Sequence, residues 1–116
     1  MVLVDFSFNY EGRKIKIKVR ECKTLSSQIK GLMFSKSNQA LLFIFQKETF
    51  QPIHSFFCKP FIAVWFNNNK IVDIKKVDTW KLSIKPREKF NKLLEIPIGN
   101  PVYETIYEIP DGMRKI

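Results

Sequence analysis

Val2-Leu3-Val4-Asp5-Phe6-Ser7-Phe8-Asn9-Tyr10, Glu11-Gly12-Arg13 and Lys14-Ile15-Lys16-Ile17-Lys18-Val19-Arg20 run consecutively, and their reading decides the fold. Val2, Val4, Phe6, Phe8 and Tyr10 alternate with Leu3, Asp5, Ser7 and Asn9. Successive side chains of a strand point to opposite faces, so a period of two predicts a strand with one buried face. Ile15, Ile17 and Val19 repeat the pattern against Lys14, Lys16, Lys18 and Arg20. Glu11-Gly12-Arg13 is a short connection in which glycine is free to take a positive φ. The stretch predicts a hairpin with one apolar and one charged face.

Working outward, Thr24–Leu32 predicts a short helix, capped by the Thr24 hydroxyl and ended by Gly31 in the left-handed conformation. Residues 35–39 are polar and predict a loop. Ala40–Phe45 and Ile53–Cys58 predict buried strands, and Phe61–Phe66 a third, set off by Pro60. Asn67-Asn68-Asn69 predicts a turn because asparagine tolerates left-handed geometry, and Lys70–Val77 then returns as the second arm of a hairpin. Asp78–Lys89 has Pro86, mixed charges and no clean period. Phe90–Ile96 is a further strand candidate. Asn100 and Pro101 suit the cap and first position of a short helix over Val102–Tyr107, although the β-branched and aromatic content of that segment leaves a strand open. Asp111-Gly112 predicts a turn before a short last strand.

Many short strands with turn signals between them predict an all-β fold: an antiparallel β-sandwich or partly closed barrel with one or two short helices. Few segments are long enough for the crossover helices of a parallel sheet. The chain of 116 residues fits one domain, 1–116, able to bury a real core. It is 45% hydrophobic, and 11 of its residues are Phe, which favours a dry, well-filled interior. Phe43, Phe45, Phe56, Phe57, Phe61, Trp65 and Phe66 fall in strand-like segments and are expected in that core.

No apolar run approaches the ~20 residues of a membrane-spanning helix. The amino terminus lacks the basic and apolar regions of a secretory signal, so a cytoplasmic location is expected. Cys22 and Cys58 form no CxxC pair, and two buried free thiols are expected of a reducing compartment, with a disulfide left open.

The middle of the chain resembles the family called domain of unknown function 192. The residues that carry the likeness are Gly31-Leu32-Met33-Phe34, Leu41-Leu42-Phe43-Ile44-Phe45 and Ile53-His54-Ser55-Phe56-Phe57. After these come Phe61-Ile62-Ala63-Val64-Trp65-Phe66, Val72, Trp80 and Leu94-Glu95-Ile96-Pro97-Ile98-Gly99. The His-x-Phe-Phe segment is most similar to archaeal members. The resemblance implies a compact all-β sandwich with small helical turns, and no agreed activity. Where the family commonly has Pro-Ile-Asp, this chain has Phe61-Ile62-Ala63, so any site built on that carboxylate is in doubt here.

For function, three classes stand open. The first is a non-catalytic binding or interaction module, monomeric or dimeric. The second binds nucleic acid or another polyanion through Arg13, Lys14, Lys16, Lys18 and Arg20. Twenty Lys and Arg against 11 Asp and Glu give a net charge of +9, and clustered cations neutralise phosphates. The bland alternative is a solvated strand face, or lysines that keep a sheet edge from aggregating. The third class is a small-ligand protein or enzyme with a pocket lined by His54, Trp80 and Glu95. His54 is the lone histidine, the side chain suited to acid–base work near neutral pH. Against this, His54 and Glu95 serve equally well as hydrogen-bonded structural groups, and Trp80 as packing. Cys58 shares a strand face with His54 only at roughly 13 Å, too far for a thiolate–imidazole pair unless a bend intervenes. One His and two separated Cys make no metal-ligand spacing, so neither metal nor cofactor is expected.

Overall fold

The computed structural model describes residues 3–24, 31 and 36–107. The opening stretch folds as its alternation predicts. Strands β1 (Val4–Tyr10) and β2 (Arg13–Cys22) pair antiparallel from Val4↔Val19 to Tyr10↔Arg13. Glu11 (φ 49) and Gly12 (φ 78) make the two-residue turn. Two positive φ values in succession match the right-handed twist of the arms. The second hairpin, β4 (Phe61–Asn67) and β5 (Lys70–Val77), turns the same way through Asn68 (φ 51) and Asn69 (φ 70).

With β3 (Ala40–Thr49) and β6 (Phe90–Pro97) these strands form one six-stranded sheet, ordered β1-β2-β3-β6-β4-β5. Every neighbouring pair but one is antiparallel. The β2–β3 pair is parallel, with Val19 opposite Ala40 and Cys22 opposite Phe43, the one departure from the expected antiparallel order. A parallel pair needs a connection of a dozen or more residues, and residues 23–39 supply it. Strand β4 is buried along Phe61–Phe66 because both its neighbours and both its faces are covered. That is why its sequence is a continuous apolar run rather than an alternation.

The sheet curls into a half-barrel. Phe6 and Phe8 on edge strand β1 meet Phe66 on β4, four strands away in sheet order, at ring-centroid distances of 5.4 and 5.5 Å. Only curvature brings them together. The inner face collects Phe8, Ile15, Ile17, Val19, Leu42, Val64, Phe66, Leu94 and Ile96. Helix α1 (Pro101–Tyr107) adds Tyr103 and Ile106 to this core. Its start is as the sequence predicts: the Val102 N–H donates to Asn100 Oδ1 at 2.9 Å, and Asn100 Nδ2 donates to the Asn38 carbonyl at 2.7 Å. Gly99 (φ +94) is required there, since a Cβ would lie 2.8 Å from Asn38 Oδ1.

On the outer face lie Cys22, Leu41, Phe43, Phe61, Ala63, Trp65, Phe90 and Leu93. Cys58, Ile53 and Ile84 cover this layer from residues 50–60 and 78–89. The strand expected over Ile53–Cys58 does not form: only Ile53 makes a bridge, to Ile84, and the chain then turns. Phe57 has φ 60, and the Cys58 N–H closes on the Ser55 carbonyl, a geometry that ends any ladder. The helix expected over Thr24–Leu32 falls mostly outside the described residues, although Gly31 is left-handed (φ 47). The expected last strand lies outside them entirely.

Candidate functional site

Ser55 organises the two loops over the outer face. It is fully buried, and each of its polar groups is used. Its N–H donates to the Lys81 carbonyl (3.0 Å), and its carbonyl accepts from the N–H groups of Cys58 (3.2 Å) and Trp80 (3.1 Å). Its hydroxyl donates to the Asp78 carbonyl (2.6 Å) and accepts from the Lys81 N–H (2.7 Å). The paired N–H and carbonyl groups of Ile53 and Ile84 extend the seam at 2.9 and 2.8 Å. One small side chain thus fixes residues 55–58 against residues 78–81.

What the seam holds up is aromatic. Phe57 and Trp80 pack edge-to-face with centroids 4.9 Å apart, and Phe56 lies 5.8 Å from Trp80. Both members of the edge-to-face pair have left-handed backbones, φ 60 and φ 65. Large side chains avoid this region, and such strain concentrates at functional positions. Both are also open to solvent, Phe57 at 48% and Trp80 at 60% of full exposure. Phe57 therefore leaves the core to which its neighbours in sequence would assign it. Leu82, 76% exposed, and Phe50, 45%, are further apolar side chains on these loops.

His54 is exposed at the rim, its ring 5.4 Å from that of Phe56. The Phe56 N–H donates to its Nδ1 at 3.2 Å, which leaves the proton of a neutral imidazole on Nε2. The Cys58 thiol instead donates to the Phe56 carbonyl at 3.4 Å. The bend that a His54–Cys58 pair would need is present, yet each side chain bonds to the Phe56 backbone. Cys22 and Cys58 are both free and buried.

Of the three residues proposed to line a pocket, the structure brings His54 and Trp80 together around Phe56. Glu95 lies in the layer beneath, on β6, opposite Leu41 of β3 and Ala63 of β4. It is 5% exposed. Burial pushes its pKa up to about 8, which favours the protonated carboxyl. Burial also pushes the Cys58 thiol up to about 11, and the nearby Glu95 adds to the shift. Ala63 occupies the position where the family resemblance implies a carboxylate. Its place across from Glu95 leaves that residue a lone acid rather than half of a pair. Two residues along β4, the Trp65 indole N–H is buried with no hydrogen-bond partner among the described residues.

The basic residues divide. Lys14, Lys16, Lys18 and Arg20 alternate away from Ile15, Ile17 and Val19, which puts them on the outer face. Arg13 has the opposite parity and reaches the Thr105 carbonyl of α1 at 3.5 Å, so it stands apart from the row. Lys18 pairs with Asp5 at 2.7 Å, a contact that holds the exposed Asp5 carboxyl below its usual range. Lys16 and Lys14 lie opposite Ser7 and Asn9. Among the described residues no group of three or more His, Cys, Asp or Glu side chains could hold a metal ion. No described helix is long and apolar enough to cross a membrane.

The DUF192 family, described as an uncharacterized ACR, matches residues 7–104. The chain belongs to this family. The UPF0127 protein of Pyrococcus furiosus is 29% identical over 93 residues, covering 77% of this chain and 79% of that one. This agrees with the archaeal likeness of the His54 segment. The DUF192 fold recurs in a protein of unknown function from Novosphingobium aromaticivorans, with TM-score 0.74 and 15% identity over 93% of this chain and 81% of that one. It recurs also in a "putative transcription regulator" from Sinorhizobium meliloti, with TM-score 0.72 and 18% identity over 90% and 84% of the two chains. At these identities the likeness is one of fold.

Ser55 was not legible as a functional residue. A serine inside His54-Ser55-Phe56-Phe57 gives no signal by itself, because its partners at residues 78 and 81 are distant in sequence. Pro52 and Pro60, which bracket the segment, were the available sign that it is loop rather than strand.

Proposed function

We propose that this DUF192 protein is a non-catalytic binding module whose recognition surface is the ledge of Phe56, Phe57 and Trp80, with His54 at its rim. The observation that carries this reading is the pairing of strain with exposure at Phe57 and Trp80. A core aromatic repays an unfavourable backbone by burial. These two are half exposed, so stability alone gives no reason to keep them. Exposed aromatic clusters on a rigid support are the common anchors of recognition surfaces. The two buried free thiols fit a reducing compartment, so we place the protein in the cytoplasm.

The test separates folding from binding. Glycine at Phe57 or Trp80 relieves a left-handed backbone cost of about 1–2 kcal/mol and loses a ring contact of about 0.5–1.5 kcal/mol. Phe57→Gly and Trp80→Gly should therefore keep wild-type stability to within about 1 kcal/mol. Trp80 emission is then titrated with nucleosides, oligonucleotides and short peptides. At least one class should shift it; Phe57→Gly should lose that shift, and Trp80→Gly, which has no Trp80 to report, should lose the same partner by calorimetry. A ledge blind to all three classes, or glycine variants that unfold, would defeat the reading.

Glu95 favours a second reading, a small-ligand site in the layer beneath the ledge. The Glu95 carboxyl is buried, and the Trp65 indole N–H is buried with no partner among the described residues; a ligand would give that N–H the acceptor it lacks. Native mass of the purified protein decides this: mass beyond an integer number of chains means a retained molecule.

A further inference from the structure

We infer that the outer face binds single-stranded nucleic acid. Its backbone would run along Lys14, Lys16, Lys18 and Arg20, and its bases would stack on Phe57 and Trp80. The inference rests on the ledge being a recognition surface and names the partner.

The lysine row and the ledge share a face. Arg20 lies opposite Leu41 and Cys22 opposite Phe43, and Cys22, Leu41 and Phe43 belong to the outer apolar layer. Strand alternation carries Lys18, Lys16 and Lys14 onto that same side. The segments bearing Phe57 and Trp80 cover the same layer through Cys58, Ile53 and Ile84. The outer face is thus cationic over β2 and aromatic where the loops cross it. Those are the two elements from which sequence-tolerant single-strand sites are built.

Natural sheets place lysines on edge strands to discourage aggregation. Strand β2 pairs with β1 over Arg13–Val19 but with β3 only over Val19–Cys22, so among the described residues Lys14, Lys16 and Lys18 have a strand on one side alone, and edge protection is the competing reading that the salt series decides. Alternate residues of a strand repeat at about 7 Å, comparable to the phosphate spacing of an extended single strand. Lys14 and Lys16 make no ion pair among the described residues, and Asn9 and Ser7 opposite them offer neutral donors to phosphate oxygens. Lys18 is offset by its pair with Asp5. Stacking on the ledge requires an exposed base face, and bases paired in a duplex present edges instead. This is why a single strand is favoured over a duplex.

The experiment is fluorescence anisotropy of labelled oligothymidylate, oligouridylate and a duplex of equal length, across a salt series, with the full chain. The wild type should bind the single strands more tightly than the duplex, with affinity falling as salt rises. Lys14→Gln/Lys16→Gln should flatten the log–log salt slope by roughly 1.4, at about 0.7 per lost phosphate contact. Trp80→Ala should keep the slope and weaken binding roughly tenfold, the effect of one lost stacked base. Four results overturn the inference: no binding even at low salt, equal or tighter binding of the duplex, an unchanged slope in the lysine variant, or an unchanged affinity in Trp80→Ala. Failure of the ledge itself is seen separately, because Trp80 emission would then answer to no nucleoside or peptide either.

Discussion

Glu95 is the residue whose surroundings make the sharpest demand. Its carboxyl sits between Leu41 and Ala63 under a layer of apolar side chains, and desolvation alone raises its pKa from 4.5 to about 8. Between those two values the folded protein holds a proton that the unfolded chain has released. Stability therefore falls as pH rises through this window, by about 1.4 kcal/mol per unit for a single fully coupled group, and levels off above about 8. Glu95→Gln keeps the shape and removes the proton. Its unfolding free energy should lose this slope, and its advantage over the wild type should grow from pH 5 to pH 8. Urea denaturation at pH 5, 6, 7 and 8 checks this, and parallel curves for the two proteins would refute it. The sequence marked Glu95 as a polar residue beside a turn. It gave no sign of the burial, which depends on loops closing over β6 from residues distant along the chain.

Among the elements, those specified by neighbours in sequence were legible and those specified at a distance were not. The β1–β2 and β4–β5 hairpins follow from alternation and from two-residue turns whose residues accept positive φ. Helix α1 follows from Asn100 and Pro101, because capping is local. Ile53–Cys58 misled because its composition suits a strand while its hydrogen-bond partners lie at residues 78–84. That seam now makes a definite demand on Ser55. Ser55→Ala keeps the backbone bonds but leaves the Lys81 N–H and the Asp78 carbonyl without the hydroxyl that each now uses. Removing one partner of a buried hydrogen bond costs about 1–3 kcal/mol for each group left unsatisfied. We expect a loss of about 2–6 kcal/mol at the seam. The inner core should survive, so loosening should be confined to the loops. Amide exchange should quicken at Cys58 and Trp80, whose N–H groups Ser55 accepts, and stay slow in β4 and β6. Uniform quickening over the whole sheet would show that the seam is not a separate unit.

At the scale of the whole molecule, the closure of the half-barrel rests on side chains rather than on backbone. The sheet order ends at β1 and β5 with no ladder between them, and Phe6 and Phe8 bridge to Phe66 on β4. The sequence supplied these phenylalanines and their parity, but not the curvature that makes them neighbours. It also left the parallel β2–β3 pairing unseen, since that depends on where residues 23–39 return the chain. Phe66 and Trp65 are adjacent on β4 and equally buried, yet they face opposite sides of the sheet. Truncating either to alanine should cost about 3–5 kcal/mol through lost burial and the cavity left behind. The consequences should differ in place. Phe66→Ala removes the ring on which the curl closes, so β1 should fray from the far strands and its amides should exchange faster, while the ledge on the opposite face keeps Trp80 emission unchanged. Trp65→Ala hollows the layer under the ledge, so Trp80 emission and ledge binding should change while β1 keeps its protection. Hydrogen exchange and fluorescence on the two variants test this directly. If both variants disturbed β1 and the ledge alike, the two faces would form one cooperative core, and the separation of a structural inner face from a recognising outer face would fail.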